Sequence, residues 1–332
     1  MKNNLFLTTA IVTVSLIANS ATAKDITDRQ VIQRGEKATF DDINASNLLS
    51  DKDGAVISND GTVTISNSEF IRNKALDADT SAGGAIANSG VMDISSSAFN
   101  KNQSGWGGAI KNTDELTLTD VTFFENKADA YNRDFGGTGG AIFNYWQLKV
   151  NGGAFTKNSA FDGGAIFNRY KATVSSTFTD NTSYLGGAVY NEDKMTISNS
   201  VFTGNSATED DSESELSSGY GGAVYNEGTL DISDSAFNNN EAVSKGGALY
   251  NTRKAVITGS SFTGNEVERY GGAVYNESKI NVSEPSMIID KAVFTANKSM
   301  GTLGSPSLGG AVFDNRGKLI ISNSVFDGNE AI

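Results

Sequence analysis

The chain has neither histidine nor cysteine among its 332 residues. Lacking histidine, it lacks the commonest general base, the histidine-dependent triads and imidazole metal ligands. Lacking cysteine, it has no disulfides, no thiol catalysis and no cysteine-based zinc site. Long apolar runs are also missing. Outside residues 5–17 no stretch approaches the ~20 apolar residues that a membrane-spanning helix needs. Positive charge is scarce, with 26 Lys and Arg against 39 Asp and Glu and a net charge of −13. That balance argues against nucleic acid and against adsorption to an anionic bilayer, and for a soluble, self-repelling surface. Helical periodicity is absent too, whereas β-branched residues abound.

What is present is a repeat. Residues 186–205 read GGAVYNEDKMTISNSVFTGN, and nearly the same phrase returns at 221–240 and 246–265. Ten copies open at Gly54, Gly83, Gly107, Gly139, Gly163, Gly186, Gly221, Gly246, Gly271 and Gly309. Each leads to a Phe-x-x-Asn tetrapeptide, from Phe70/Asn73 to Phe326/Asn329. In seven copies the Gly-to-Phe distance is 16 residues, and the closest-spaced copies begin 23 to 25 residues apart. A unit of that length is too small to bury its apolar face alone and must stack on its neighbours.

Within a unit, the fourth position is always aliphatic, from Ile57 to Val312. The next varies through Ser58, Ala87, Lys111, Phe143, Phe167, Tyr190, Tyr225, Tyr250, Tyr275 and Phe313, and Lys111 there implies a position facing water. On that basis truncating Tyr190 should cost much less stability than truncating the inward Phe202. A second alternating pair follows, as in Met195/Ile197 and Leu230/Ile232, and then the Phe of Phe-x-x-Asn. Three inward runs separated by Asn, Gly, Ser and Asp predict three strands and their corners. The expected fold is an all-β right-handed parallel β-helix of about ten three-strand rungs, stacked ~4.8 Å apart. The Asn closing the first strand (Asn144, Asn168, Asn191, Asn226, Asn251, Asn276) should form a hydrogen-bonded ladder at a left-handed corner. The Gly pair serves the preceding corner.

In chain order, residues 1–23 are expected to be an export signal. Lys2 is the basic flank, 5–17 the apolar run, and Ala21-Thr22-Ala23 the small-residue cleavage site, so that cleavage falls between Ala23 and Lys24. The run is too short for an anchor, so no membrane span is expected after processing. Residues 24–53 lack the repeat and are expected to form an N-terminal cap over the first rung's open edges. Residues 54–332 form the repeat domain. No capping segment or barrel-forming domain follows the last copy, which suggests a bare rung edge or a truncated form of a longer chain. Longer segments at 74–82, 127–138, 206–220 and 298–308 all fall between Phe-x-x-Asn and the next Gly pair, hence at one corner. A smaller insertion, 283–290, breaks another corner.

The search for chemistry yields no catalytic residue, no metal site and no cofactor site. No Gly-x-x-x-x-Gly-Lys-Ser/Thr occurs, and the Gly pairs open strands rather than helices. The unit is over twice as long as a calcium β-roll repeat and lacks its Gly-x-Asp. The acidic run 209–215 is read as a solvated loop. Residues 131–134, with Tyr131 and Arg133, are the nearest approach to an unusual cluster, on a loop. The column of Tyr190, Tyr225, Tyr250 and Tyr275 is either a contact strip for glycan or protein, or an external stack stabilising the sheet. Tyr131, Arg133 and these four tyrosines are the candidate binding residues.

The ordered pair Gly-Gly-Ala-(Ile/Val/Leu) and Phe-x-x-Asn, over about residues 54–329, resembles the repeats of the chlamydial polymorphic membrane proteins and, more broadly, the passenger domains of bacterial autotransporter adhesins. The resemblance carries over to 83–86 with 99–102 and to each equivalent pair. It implies a surface-displayed β-helix that adheres to host cells. The partner would be a host-cell surface protein or glycan, and the location the bacterial cell surface, the outer membrane or the medium. Departures are Gly54-Ala55-Val56-Ile57 in the first copy, Asp314 at the ladder position of the tenth, the absence of Cys, and no translocator barrel. The leading expectation is therefore a non-enzymatic adhesin. The alternatives are a carbohydrate-active β-helix enzyme, such as a polysaccharide lyase or hydrolase, and a remnant of a larger autotransporter.

Overall fold

A computed structural model describes residues 24–76, 82–129, 137–209, 218–277, 286–301 and 307–332, and the main chain of 13–16. No helix occurs among them, and every strand pairing is parallel. The chain winds as a parallel β-helix whose successive turns pair strand on strand.

Three faces close each turn. The first holds the Gly-Gly strand, in an eleven-stranded sheet running from Gln30–Ile32 through Ile57–Asn59 to Val312–Asn315. The second and third inward runs are the expected separate strands in most rungs, and they lie in the same sheet, as with Thr62–Ser66 and Glu69–Ile71. In two rungs they are a single strand, Gln147–Thr156 and Lys171–Thr179. The copy opening at Gly163 is one residue shorter between Gly and Phe, and the residue it omits is the left-handed one. In other rungs that residue bends the sheet, as Asn67 (φ 49°) and Asn199 (φ 48°) do. The third face follows Phe-x-x-Asn and is built from two-residue strands such as Lys74–Ala75 and Ser206–Ala207. Its corner is made by the second x of the tetrapeptide, left-handed at Arg72, Lys101, Glu125 and Lys157.

Residues 24–53 do not lie across the end of the coil as a cap; they continue it. Gln30–Ile32 pairs with Ile57–Asn59, Lys37–Asp41 with Thr62–Ser66, Asn44–Ser46 with Glu69–Ile71, and Leu49–Ser50 with Lys74–Ala75. Among the described residues the complete rungs therefore number eleven, and Lys24–Ile26 pairs with Ile43–Ala45 beyond the first of them. Backbone pairing needs no particular side chain, so a segment without the motif can still add a turn. The insertion expected at 283–290 is also displaced. Met287–Asp290 is a regular second-face strand, with Met287 in register with Ala255. The seven extra residues of this copy fall between Asn276 and Met287, where 278–285 lie outside the described residues.

One apolar core runs the length of the coil. Ten phenylalanines from Phe70 to Phe326 stack with ring centroids 4.5–5.0 Å apart and planes within 10° of parallel. Each fully buried ring contributes roughly 1.5–3 kcal/mol.

The expected Asn ladder is present. From Asn59 to Asn276, each Nδ2 donates to the next Oδ1 at 2.6–2.8 Å, and Asn276 donates to Asp314. Its residues are not left-handed, contrary to expectation. Their side chains instead bond the main chain two residues on, as Asn59 does with Gly61. Left-handed geometry sits on the first Gly of each pair, for example Gly186 at φ 63°. A Cβ there would lie against the carbonyl oxygen of Val189.

Candidate binding surface

The residue before each Gly pair defines the corner where the insertions cluster. These residues stack through single parallel bridges in the order Ala82, Trp106, Thr138, Asp162, Leu185, Tyr220, Lys245, Tyr270, Leu308. They lie over the variable column that begins at Ser58, and this overturns its expected exposure. Tyr190 is 7 % exposed, Tyr225 5 %, Tyr250 2 % and Tyr275 2 %. With Phe143, Phe167 and Leu185 they form a second apolar cluster outside the coil, against which Trp106, Tyr220, Tyr270 and Phe313 pack. Lys111 misled the expectation because it is half-buried and paired to Asp53 at 3.3 Å.

The hydroxyls of this cluster are committed to internal partners. Tyr190 donates to Glu227 Oε2 at 2.7 Å and Tyr225 to Oε1 of the same carboxylate at 3.0 Å. Tyr250 donates to Glu277, and Asn315 Nδ2 donates to the Tyr275 hydroxyl at 3.0 Å. The Lys245 Nζ sits 5.0 Å from the ring centres of Tyr220 and Tyr275, 5.7 Å from that of Tyr250, and 3.4 Å from Glu277. Burial pushes the phenols of Tyr190, Tyr225 and Tyr250 far up, and that of Tyr275 up to about 12, with the neighbouring carboxylates adding to the effect. Burial also raises Glu192, against the pull of Arg169. Neutral phenols tied to carboxylates make a packed column that fixes the corner. The structure thus places Tyr190, Tyr225, Tyr250 and Tyr275 beneath the surface of this corner, covered by its outer residues.

Tyr131 and Arg133 lie outside the described residues, as do 77–81, 130–136, 210–217 and 302–306 within the four insertions. Their described flanks confirm the common corner. Lys74–Ala75, Lys127–Ala128, Ser206–Ala207 and Lys298–Ser299 are all third-face strands that precede a Gly pair. Of the acidic run 209–215 only Glu209 is described. Among the described residues no group of three acidic side chains is placed to hold a metal ion.

Sequence reasoning missed two features. The Asn of Phe-x-x-Asn forms a second ladder, Asn73 to Asn329, buried throughout except at the half-buried Asn329, with Nδ2 to Oδ1 distances of 2.8–3.0 Å. Its invariance across ten copies was the available signal. The exposed Tyr and Trp side chains lie elsewhere: among the described residues they are Tyr145, Trp146 and Tyr170, at the corner after the first ladder. There, two adjacent copies read Asn-Tyr-Trp and Asn-Arg-Tyr, where the others carry no aromatic residue.

Comparison with known proteins identifies the repeat. The family profile for the Chlamydia polymorphic membrane protein repeat matches residues 120–145, 175–192, 199–227 and 234–252. Each matched segment runs from one Phe-x-x-Asn across the insertion corner to the ladder Asn of the next rung. No curated protein sequence matches the chain. Among solved structures, the crystal structure of PfbA, a surface adhesin of Streptococcus pneumoniae, aligns with a TM-score of 0.40 and 13 % identity, over 91 % of this chain and 81 % of that one.

Proposed function

We propose that this β-helix, built on repeats of the Chlamydia polymorphic membrane protein type, is an exported adhesin that acts by binding and not by catalysis. The carrying observation is that the four profile matches fall on one coil, the last three of them on successive turns, and each spans the corner where the insertions gather. A rod of repeated rungs presents nearly uniform faces, so discrimination must come from what departs from uniformity. Lengthening a surface loop costs only about 0.6 kcal/mol per doubling. The rungs beneath hold such loops on a rigid support, which lowers the ordering cost of binding. The partner would be a host-cell surface protein or glycan.

Cell attachment by the purified chain is the test. Shortening 127–138, 206–220 and 298–308 to the links of the regular rungs should leave the far-ultraviolet circular dichroism and melting unchanged and abolish attachment. Attachment that survives the trimming defeats the loop assignment; no attachment by the parent chain defeats the adhesin. Export predicts that protein from the producing cells begins at Lys24. Cleavage there removes Thr13–Leu16 and leaves Lys37–Asp41 as an edge strand, so recovery of only uncleaved protein would refute it.

A further inference from the structure

The aromatic residues at the corner after the first ladder serve no core. Trp146 and Tyr170 are each 40 % exposed and stack at 4.3 Å with planes 6° apart. Tyr145 beside them is 49 % exposed, and the Arg169 guanidinium carbon lies 5.4 Å from its ring centre. Arg169 also pairs with Glu192 at 3.3 Å. The backbone under this platform is pinned. Trp146 O accepts from the Asn144 side chain and the Lys171 amide, and Tyr170 O accepts from Asn168 and the Lys194 amide. The rings are thus presented by a rigid corner and not by a mobile loop.

Next to the platform, the second face carries an open groove of ~270 Å³ over Leu116 and Leu148, lined by Glu115, Thr117, Gln147, Lys149, Lys171 and Thr173. Lys171 is in register with Lys194, and Lys149 with Thr173. Among the described residues, Lys149, Lys171 and Lys194 make no ion pair. Three unpaired, exposed lysines on neighbouring rungs stand out on a chain of net charge −13. Exposed ring surface beside hydroxyl, amide and ammonium donors matches a flat, hydroxyl-rich ligand with negative charge.

We infer that the Trp146–Tyr170 platform and the adjoining Lys149/Lys171 groove bind an anionic saccharide. The C–H face of a sugar ring lies on the aromatic pair, its hydroxyls meet Thr117, Gln147 and Thr173, and its carboxylate or sulfate meets Lys149 and Lys171. Glu115, at the groove's far rim, accepts hydroxyls and keeps the anionic group toward the lysines. The shallow groove and small apolar area suit a saccharide better than a folded protein, whose stable docking needs a larger area. This deepens the binding function proposed above by naming the chemistry of a partner.

The test uses the full chain, with binding to an oligogalacturonate, a heparin oligosaccharide, a neutral dextran oligosaccharide and oligo(dT) measured by calorimetry. The anionic saccharides should bind, with dextran and oligo(dT) far weaker. The double variant W146A/Y170A should lose roughly ten-fold or more in affinity, as loss of stacking surface does. K149Q/K171Q should lose a similar factor and flatten the salt dependence. Both variants should melt with the parent, since all four side chains are exposed. The inference is overturned if neither anionic saccharide binds, if binding survives in either double variant, or if oligo(dT) binds as tightly. Cell attachment by the same proteins separates the two ideas: attachment without saccharide binding sinks only this inference, and saccharide binding without attachment sinks only the adhesin.

Discussion

Tyr250 shows how one side chain's chemistry depends on its cover. Its ring is buried under Tyr220 and Lys245, and its hydroxyl is held by Glu277. A phenol whose folded pKa is raised stays protonated while the unfolded chain ionises. The stability it contributes is complete below about pH 10 and is lost as pH climbs through that value toward the raised one. Each such phenol adds about 1.4 kcal/mol per pH unit to the alkaline loss. Denaturant midpoints recorded on either side of pH ~10 should therefore fall steeply for the parent and less steeply for Tyr250→Phe and Tyr225→Phe. Phe already occupies the column at Phe143, Phe167 and Phe313, so the variants should fold. Identical slopes in parent and variants would contradict the burial. Burial also revises the expected contrast between columns. Tyr225→Ala and Phe202→Ala should both cost about 3–5 kcal/mol, the range for emptying a buried aromatic site. A Tyr225→Ala variant as stable as the parent would mean that the outer column is open to solvent.

At the scale of the rung, the second Asn ladder replaces what a sheet cannot supply at a corner. Asn205 Oδ1 accepts both the backbone amide and the side-chain amide of Asn181, and its Nδ2 donates to Asn240 and to Phe178 O. All of these groups are buried, so one truncation takes a partner from groups on both flanking rungs. Each orphaned group costs about 1–3 kcal/mol. Asn205→Ala should therefore destabilise the coil more than Ser200→Ala, because Ser200 Oγ accepts only the Ser176 amide and has a single proton to donate, shared between Val174 O and Ser198 O. Hydrogen exchange should speed up at Asn181 and Asn205 together. Faster exchange confined to Asn205 would argue that the ladder is not cooperative.

For the whole molecule, stability is the sum of rungs and the interfaces between neighbours. Residues 246–270 make one complete turn, from one Gly pair to the next. Deleting them joins Lys245 to Gly271 and stacks Tyr275 on Tyr225 and Phe294 on Phe237. The shortened chain should fold, melt in one transition and lose ~4.8 Å of length by small-angle scattering. Deleting half that stretch breaks the register of every inward position and should leave the chain unable to fold. If both deletions fold equally well, the coil is not built from interchangeable turns.

The order of Gly-Gly-Ala and Phe-x-x-Asn, ten times over, was enough to determine a parallel β-helix, its inward columns and its first Asn ladder. These follow from local rules: side-chain alternation, the backbone freedom of Gly, and the need of a 24-residue unit for neighbours. The motif-free turn at 24–53, the burial of Tyr190 to Tyr275 and the exposure of Trp146 and Tyr170 were decided only in the folded molecule. Pairing of 24–53 rests on backbone hydrogen bonds, which no side-chain pattern announces. The outer tyrosines are covered by residues such as Tyr220 and Lys245, which precede the Gly pairs of their own or neighbouring rungs. The same alternation would leave those tyrosines exposed if nothing lay over them. Trp146 and Tyr170, 24 residues apart in the chain, become one platform because the coil rises by a single strand spacing between them.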